Sequence, residues 1–139
     1  MEKLQKNFSY KFNDLELLKQ SLTHRSVSKN NNERLEFLGD SVLGCIISEE
    51  LYKRYPLIDE GQLSRLRSHL VRGQTLANLA KTLNISESLT LGHGELKSGG
   101  FRRESILADA FEAILGAIFL DSDYLTVKKI ILSLFNDLL

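Results

Sequence analysis

An all-helical fold is what this sequence predicts, and three observations carry that expectation. Apolar residues recur at helical spacing through most of the chain. Residues that cap helices stand at the head of several of these runs. No stretch shows the strict apolar–polar alternation of a half-buried strand.

Taken in order, Asn13-Asp14 can cap a helix that carries Leu15, Leu18 and Leu22 on one side. A polar run over Ser28 to Asn32 leads into a long helix from about Asn32 to Tyr55, which Pro56 ends. Asp59 heads the next helix, through Leu63, Leu66 and Leu70, and Gly73 breaks it. Gln74 to Leu83 continues with Leu76, Leu79 and Leu83 on one face. Asn84 to Gly100 reads as loop and short turns. A helix follows from about Arg103 to Leu120, and a last one from Asp123 to Leu139, with Val127, Ile130, Ile131, Leu134 and Leu138.

A chain of 139 residues that is 42% hydrophobic suits one domain over residues 1–139 with a real core. No window is long and apolar enough for a bilayer, so no membrane partner is expected. Met1 to Phe12 mixes charges with aromatics and lacks the form of a signal peptide, so a cytoplasmic protein is expected. Cys45 is the single cysteine, which excludes an internal disulfide and a cysteine-rich zinc site. Its apolar neighbours predict a buried, inert thiol. Basic and acidic residues number 18 each, so net charge alone does not point to nucleic acid. Any such function must lie in how the charges are placed.

The informative stretch is Asn32-Glu33-Arg34-Leu35-Glu36-Phe37-Leu38-Gly39-Asp40, continuing to Ile47. At roughly 100° per residue, Glu33, Glu36 and Asp40 fall within about 60° of one another. The rest of the wheel is apolar, which predicts a buried helix with acids near its polar end. A second helix repeats the pattern, with Asp109 and Glu112 three apart and flanked by Ile106, Ala113 and Gly116. Gly39, Gly44 and Gly116 are expected to let the two helices approach closely. Buried carboxylates must be paired, protonated or metal-bound. Pairing with Arg34, Arg102 or Arg103 is the plain structural alternative. Arg34 lies about 160° from Glu36, however, and four acids on two core helices are hard to neutralise in this way. A hard divalent cation answers the charge directly, and oxygen-only ligands favour magnesium, with manganese as a substitute. A di-iron bundle needs a Glu-x-x-His motif, and His24, His69 and His93 do not supply one.

At these residues the chain resembles ribonuclease III. Asn32 to Asp40 is similar to that family's signature without a gap. Leu22-Thr23-His24-Arg25-Ser26, Glu60-Gly61-Gln62-Leu63-Ser64 with Arg67, and Gly99 to Glu112 match further blocks in order. The resemblance implies the all-helical ribonuclease III endonuclease-domain fold, acting as a symmetric homodimer on double-stranded RNA. It implies phosphodiester hydrolysis to 5′-phosphate and 3′-hydroxyl ends with a short 3′ overhang, and roles in rRNA and other RNA processing. It implies metal binding by Glu36, Asp40, Asp109 and Glu112, with Asp40 and Glu112 as catalytic residues. Glu33 and Glu60 match two auxiliary acidic positions; each can equally be an ordinary charge in the first turn of a helix. Arg65, Arg67, Arg72, Lys97, Arg102 and Arg103 are candidate phosphate contacts, His24 is expected to be structural, and Ser98-Gly99-Gly100 is a turn or an RNA-facing loop. Many members carry a double-stranded RNA-binding domain after the catalytic one; residues 1–139 are expected to be the catalytic domain alone. The alternative is a catalytically silent relative that serves RNA binding or assembly, in which some of the acids should be missing.

Overall fold

The computed structural model describes residues 1–139 as eight α-helices. They are α1 (Glu2–Phe8), α2 (Leu15–Ser21), α3 (Glu33–Arg54), α4 (Glu60–Val71), α5 (Gly73–Thr82), α6 (His93–Lys97), α7 (Glu104–Asp121) and α8 (Tyr124–Leu134). Short 3-10 turns occupy Ile85–Ser88 and Gly100–Arg102. The only strand-like pairing is an isolated parallel bridge between Thr23 and Thr90.

Three helices start where an aspartate side chain satisfies a free backbone N–H group. Asp14, Asp59 and Asp123 accept from the amides of Glu16, Gln62 and Thr126 at 3.0, 2.9 and 2.8 Å. The head of α3 is built differently. Asn31 Oδ1 accepts from the Glu33 amide at 3.0 Å, while Asn32 turns inward and donates to the Ser21 carbonyl at 3.1 Å. The acidic end of α3 is thereby fixed to the end of α2.

α7 is the central rod. From Ile106 to Ile118 every residue except Asp109 is buried. α2, α3, α5 and α8 pack around it, and its largest interface is with α3. α3 buries one face only, through Leu35, Gly39, Val42, Leu43, Ile46, Ile47 and Leu51. This corrects the expectation of a helix buried on all sides. Phe37 is 75% exposed and Tyr52 73%, with Ser41 and Cys45 also open. The Cys45 thiol is therefore exposed rather than buried, 3.8 Å from the Tyr124 hydroxyl.

The crossing of α3 and α7 is a backbone contact. A Cβ on Gly39 would overlap the Glu112 carbonyl, and one on Gly116 would overlap the Leu35 carbonyl. Gly44 meets nothing within 4 Å, so only two of the three expected glycines serve the approach.

Three boundaries differ from the sequence reading. α1 has no counterpart in that reading; its Leu4 and Phe8 reach the core, with the Phe8 ring centroid 6.2 Å from that of Phe111. α6 is a short helix inside the expected loop. α8 stops at Leu134 rather than Leu139, because Phe135 turns into the core and leaves Leu138 exposed.

Replacing Gly39 by alanine should cost about 1–3 kcal/mol or more, because backbone must move to admit the methyl group. Gly44→Ala should be neutral or stabilising by up to about 1 kcal/mol, since a helical glycine is replaced in open space. Urea denaturation of the two variants checks this: equal stabilities would contradict the close crossing.

Candidate active site: an acidic cluster at the helix crossing

The helix period puts Glu33, Glu36 and Asp40 on one side of α3, and Asp109 and Glu112 on one side of α7. The glycine contact sets these two sides against each other. Gly39 lies between Glu36 and Asp40 and touches the backbone of Glu112 itself. One carboxylate oxygen each from Glu36, Asp109 and Glu112 all lie within 4.8 Å of one another. Asp40 adjoins the group through a hydrogen-bonding contact with the Glu112 carboxyl.

Burial is graded across the cluster. Glu112 is buried, at 7% exposure. Glu36 is half-buried, while Asp40 and Asp109 open to solvent. Burial is the first cause that pushes the Glu112 carboxyl up to about 9; the Asp40 carboxyl, by contact and charge, is next, followed by the charges of Glu36 and Asp109. Burial also raises Glu36, helped by the charges of Asp109 and Asp40. Asp109 is raised by burial as well, with Glu36, Arg25 and His24 pulling the other way.

None of the four carboxylates makes an ion pair; the six pairs within 4.0 Å all lie elsewhere. The basic residue closest in role is Arg25, which pairs loosely with Glu33 at 3.7 Å. An acid cluster with oxygen donors only and no ion-paired base fits a hard divalent ion. Glu36, Asp40, Asp109 and Glu112 are the residues that would hold it.

The other predicted residues divide. Glu33 stands at the edge of the cluster and adds to its negative field, raising Glu36 and Asp109. Glu60 lies on α4, where it accepts from Ser64 Oγ at 2.7 Å, and it is outside the cluster of this chain. Arg103 is held by Glu95 at 2.9 Å and by Ser98 Oγ at 3.0 Å. Arg67 is held by Ser48 Oγ at 3.0 Å. Arg102 stacks on Phe101, 5.0 Å from the ring centre. Arg65, Arg72 and Lys97 have no carboxylate partner, and all three are exposed. Gly99 adopts φ 76 and turns the chain after α6, so Ser98-Gly99-Gly100 is a turn.

His24 has a visible structural task. Its Nδ1 accepts from the Ser26 amide at 3.1 Å, and Ser26 Oγ accepts from the Gly92 amide at 2.7 Å. Backbone bonds from His24 to Thr90 and from Thr90 to Leu22, at 3.0 and 2.9 Å, complete a clamp between the two segments. A Cβ on Gly92 would strike the Ser26 carbonyl. Arg25 is a residue of the site's surroundings that sequence reasoning misses. A signal for it exists: it sits in the Leu22–Ser26 block, whose fixed conformation delivers it to Glu33.

A helical domain that crosses two core helices under a carboxylate cluster is the class that the fold and site define, a domain built to hold a divalent cation. Comparison with known proteins narrows it. The family model described as ribonuclease-III-like matches residues 14–138, and the chain belongs to that family. The fold is similar to the nuclease domain of ribonuclease III from Campylobacter jejuni, at 42% identity and a TM-score of 0.96, covering 98% of this chain and 96% of that one. A second structure of that domain, at 2.2 Å resolution, gives 42% identity and 0.95, covering 99% and 94%. Dicer from Pichia stipitis matches at 28% identity and 0.71, covering 90% of this chain and 55% of that one.

The pH dependence of the metal-free protein follows from the direction of these shifts. A carboxyl raised to about 9 in the folded state, against about 4.3 unfolded, contributes stability fully present below pH 4.3. That contribution is lost as pH rises through 4.3 towards 9. Glu112→Gln should flatten the decline between those limits, read as melting temperature against pH in EDTA. An unchanged decline would mean that the Glu112 carboxyl ionises freely in the fold.

Proposed function

We propose that this chain is a divalent-metal-dependent endoribonuclease of double-stranded RNA, with Glu36, Asp40, Asp109 and Glu112 holding magnesium, or manganese in its place. The observation that carries the reading is the cluster itself: carboxylates gathered at one helix crossing with no basic partner. A catalytically silent relative would not need to retain all four.

A bound divalent ion would polarise the phosphate, lower the pKa of an attacking water and steady the leaving oxygen. The chain's own residues set up that chemistry. Glu112 is fixed on the rigid α7 and is buried, so its carboxylate has little freedom to swing away. Asp40 touches it from α3 and stays open to solvent, where substrate arrives. Glu36 and Asp109 close the other side. Asp40 and Glu112 are assigned as the catalytic pair on this geometry together with the family motif. Hydrolysis would leave 5′-phosphate and 3′-hydroxyl ends. Glu33 tunes the field of the site, and Glu60 is an auxiliary acid whose place is not beside its own chain's cluster.

A two-fold homodimer supplies one cluster for each strand of a duplex. The open stripe along α3, with Phe37, Ser41, Cys45 and Tyr52, together with exposed Leu120, is the surface that supports this reading. The Campylobacter jejuni domain is described as having a region involved in dimer formation. Residues 1–139 form the catalytic domain in this account. Processing of rRNA and mRNA in the cytoplasm is the cellular role proposed, and no helix is long and apolar enough to cross a membrane.

Glu112→Gln should lower cleavage of a long RNA duplex in magnesium by several orders of magnitude while duplex binding persists. A heterodimer of one wild-type and one Glu112→Gln chain should nick a single strand. Normal double-strand cutting by that heterodimer would overturn the assignment of one cluster to each strand.

Magnesium should also raise the melting temperature of the wild type more than that of Asp109→Asn, since it binds only the folded site. The same variant without metal should be as stable as wild type or more so, because one of several repelling carboxylates is gone. Equal magnesium shifts in differential scanning calorimetry would exclude Asp109 from the site.

A further inference from the structure

Of the cations that a duplex could meet, several are already engaged, and two that are not share one helix face. On α4 a separation of seven residues returns to within about 20° of the same direction and advances about 10 Å along the axis. Arg65 on α4 and Arg72, the residue that ends it, have this separation, and His69 lies between them along the axis, about 40° from Arg65. With Ser64 and Ser68 these residues line one open groove that contains no apolar side chain. The opposite side of α4 carries Leu63 and Leu70, which pack inward, and Arg67, which is held by Ser48 of α3. The helix therefore segregates its basic residues by direction, one arginine tied inward and two left open.

Nothing neutralises the open pair. Neither Arg65 nor Arg72 has an acidic group within 4.0 Å. The acid at the head of the helix, Glu60, is occupied by Ser64, and Asp59 is occupied by the Gln62 amide. The corner after α4 is stiff, because Thr75 Oγ1 donates to the His69 carbonyl at 2.8 Å. α5 then starts at Gly73 with no side-chain cap, which adds its partial positive charge just beyond Arg72. A chain with equal numbers of acids and bases has thus concentrated unpaired positive charge and the Ser68 hydroxyl along about 10 Å at one exposed helix and the residue that follows it.

We infer that the outer face of α4 and the residue that ends it, with Arg65, Ser68, His69 and Arg72, form a phosphate-contacting ridge that binds the backbone of duplex RNA away from the carboxylate cluster. This rests on the double-stranded RNA reading above, which supplies the occupant: a rigid rod of closely spaced phosphates. Two arginines and the Ser68 hydroxyl in a row grip such a backbone without reading its sequence. The ridge also offsets the acidic cluster, which by itself repels the substrate. It assigns Arg65 and Arg72 to substrate holding, and it leaves Arg67 and Arg103 as structural residues.

The test is binding of a fluorescent RNA duplex in EDTA, where no metal-dependent cutting can occur, at 50 to 200 mM KCl. Every phosphate that the protein no longer neutralises should reduce the slope of log affinity against log salt by about 0.9. Arg65→Ala/Arg72→Ala should therefore flatten the slope by about 1–2 and weaken binding roughly tenfold at the low-salt end. Lys129→Ala, on α8, is the control for removal of a charge elsewhere and should keep the wild-type slope. Arg65→Lys/Arg72→Lys should retain most of the slope, because the charges remain. If the alanine pair has no melting transition, Arg65→Gln/Arg72→Gln is measured in its place. A slope and affinity equal to wild type in the neutral pair overturn the ridge. A wild type that binds the duplex through Arg65 and Arg72 but does not cut it in magnesium would overturn the proposed activity and leave the ridge standing.

Discussion

Everything at the site depends on one steric constraint, the contact of the α3 and α7 backbones at Gly39 and Gly116. Two ordinary helices pack with their axes about 8–10 Å apart, held off by side chains. Here each glycine faces a carbonyl of the other helix, with no room for a methyl group between them. That contact sits inside the acidic sequence. Gly39 is flanked by Glu36 and Asp40, and the carbonyl it touches belongs to Glu112. A wider crossing would separate the carboxylates. The glycines therefore serve the chemistry by serving the packing.

The same closeness sets the electrostatic character of the site. Four acids share a small space, one of them buried on a helix whose surroundings are otherwise apolar. Without a cation, the protein answers by keeping Glu112 protonated, with its carboxyl up to about 9. A divalent ion would take these carboxylates as ligands, and coordination would replace the repulsion. The cost of burying acid is thus tied to the function, which agrees with the general pattern of perturbed carboxyls at active sites. The rest of the fold holds the two helices still. Asn32 anchors the head of α3 to α2, and the His24–Ser26–Gly92 clamp fixes the segment that carries Arg25. At the far end of α7, Asp121 accepts from the Tyr10 hydroxyl and from the amides of Asn13 and Asp14 at 2.6, 2.8 and 2.9 Å.

Much of this is legible in the sequence, and for identifiable reasons. The helices with three or more apolar positions at regular spacing are readable, as are the caps at Asp14, Asp59 and Asp123. The acids are readable because helical period alone places Glu36 with Asp40 and Asp109 with Glu112. What the period does not show is that the two faces meet, nor which glycine makes them meet: Gly39 and Gly44 look alike on paper, and only Gly39 faces a carbonyl. Exposure is harder still. Phe37 and Cys45 read as core because a one-dimensional apolar count does not say which side of a helix is covered. α1 escapes because two buried apolar residues in seven leave no period to detect. The basic residues are readable as a set but not by employment, since Arg67 and Arg103 are captured by Ser48 and Glu95 from other helices.

The central claim is that a divalent cation sits among Glu36, Asp40, Asp109 and Glu112. Anomalous X-ray diffraction from crystals soaked in manganese tests it most directly, because the signal locates the ion without assumption about activity. The account predicts a peak at the α3–α7 crossing within about 2.0–2.6 Å of carboxylate oxygens from this group. A protein that cleaves duplex RNA in manganese yet binds the ion elsewhere, or shows no peak at the crossing, would contradict it.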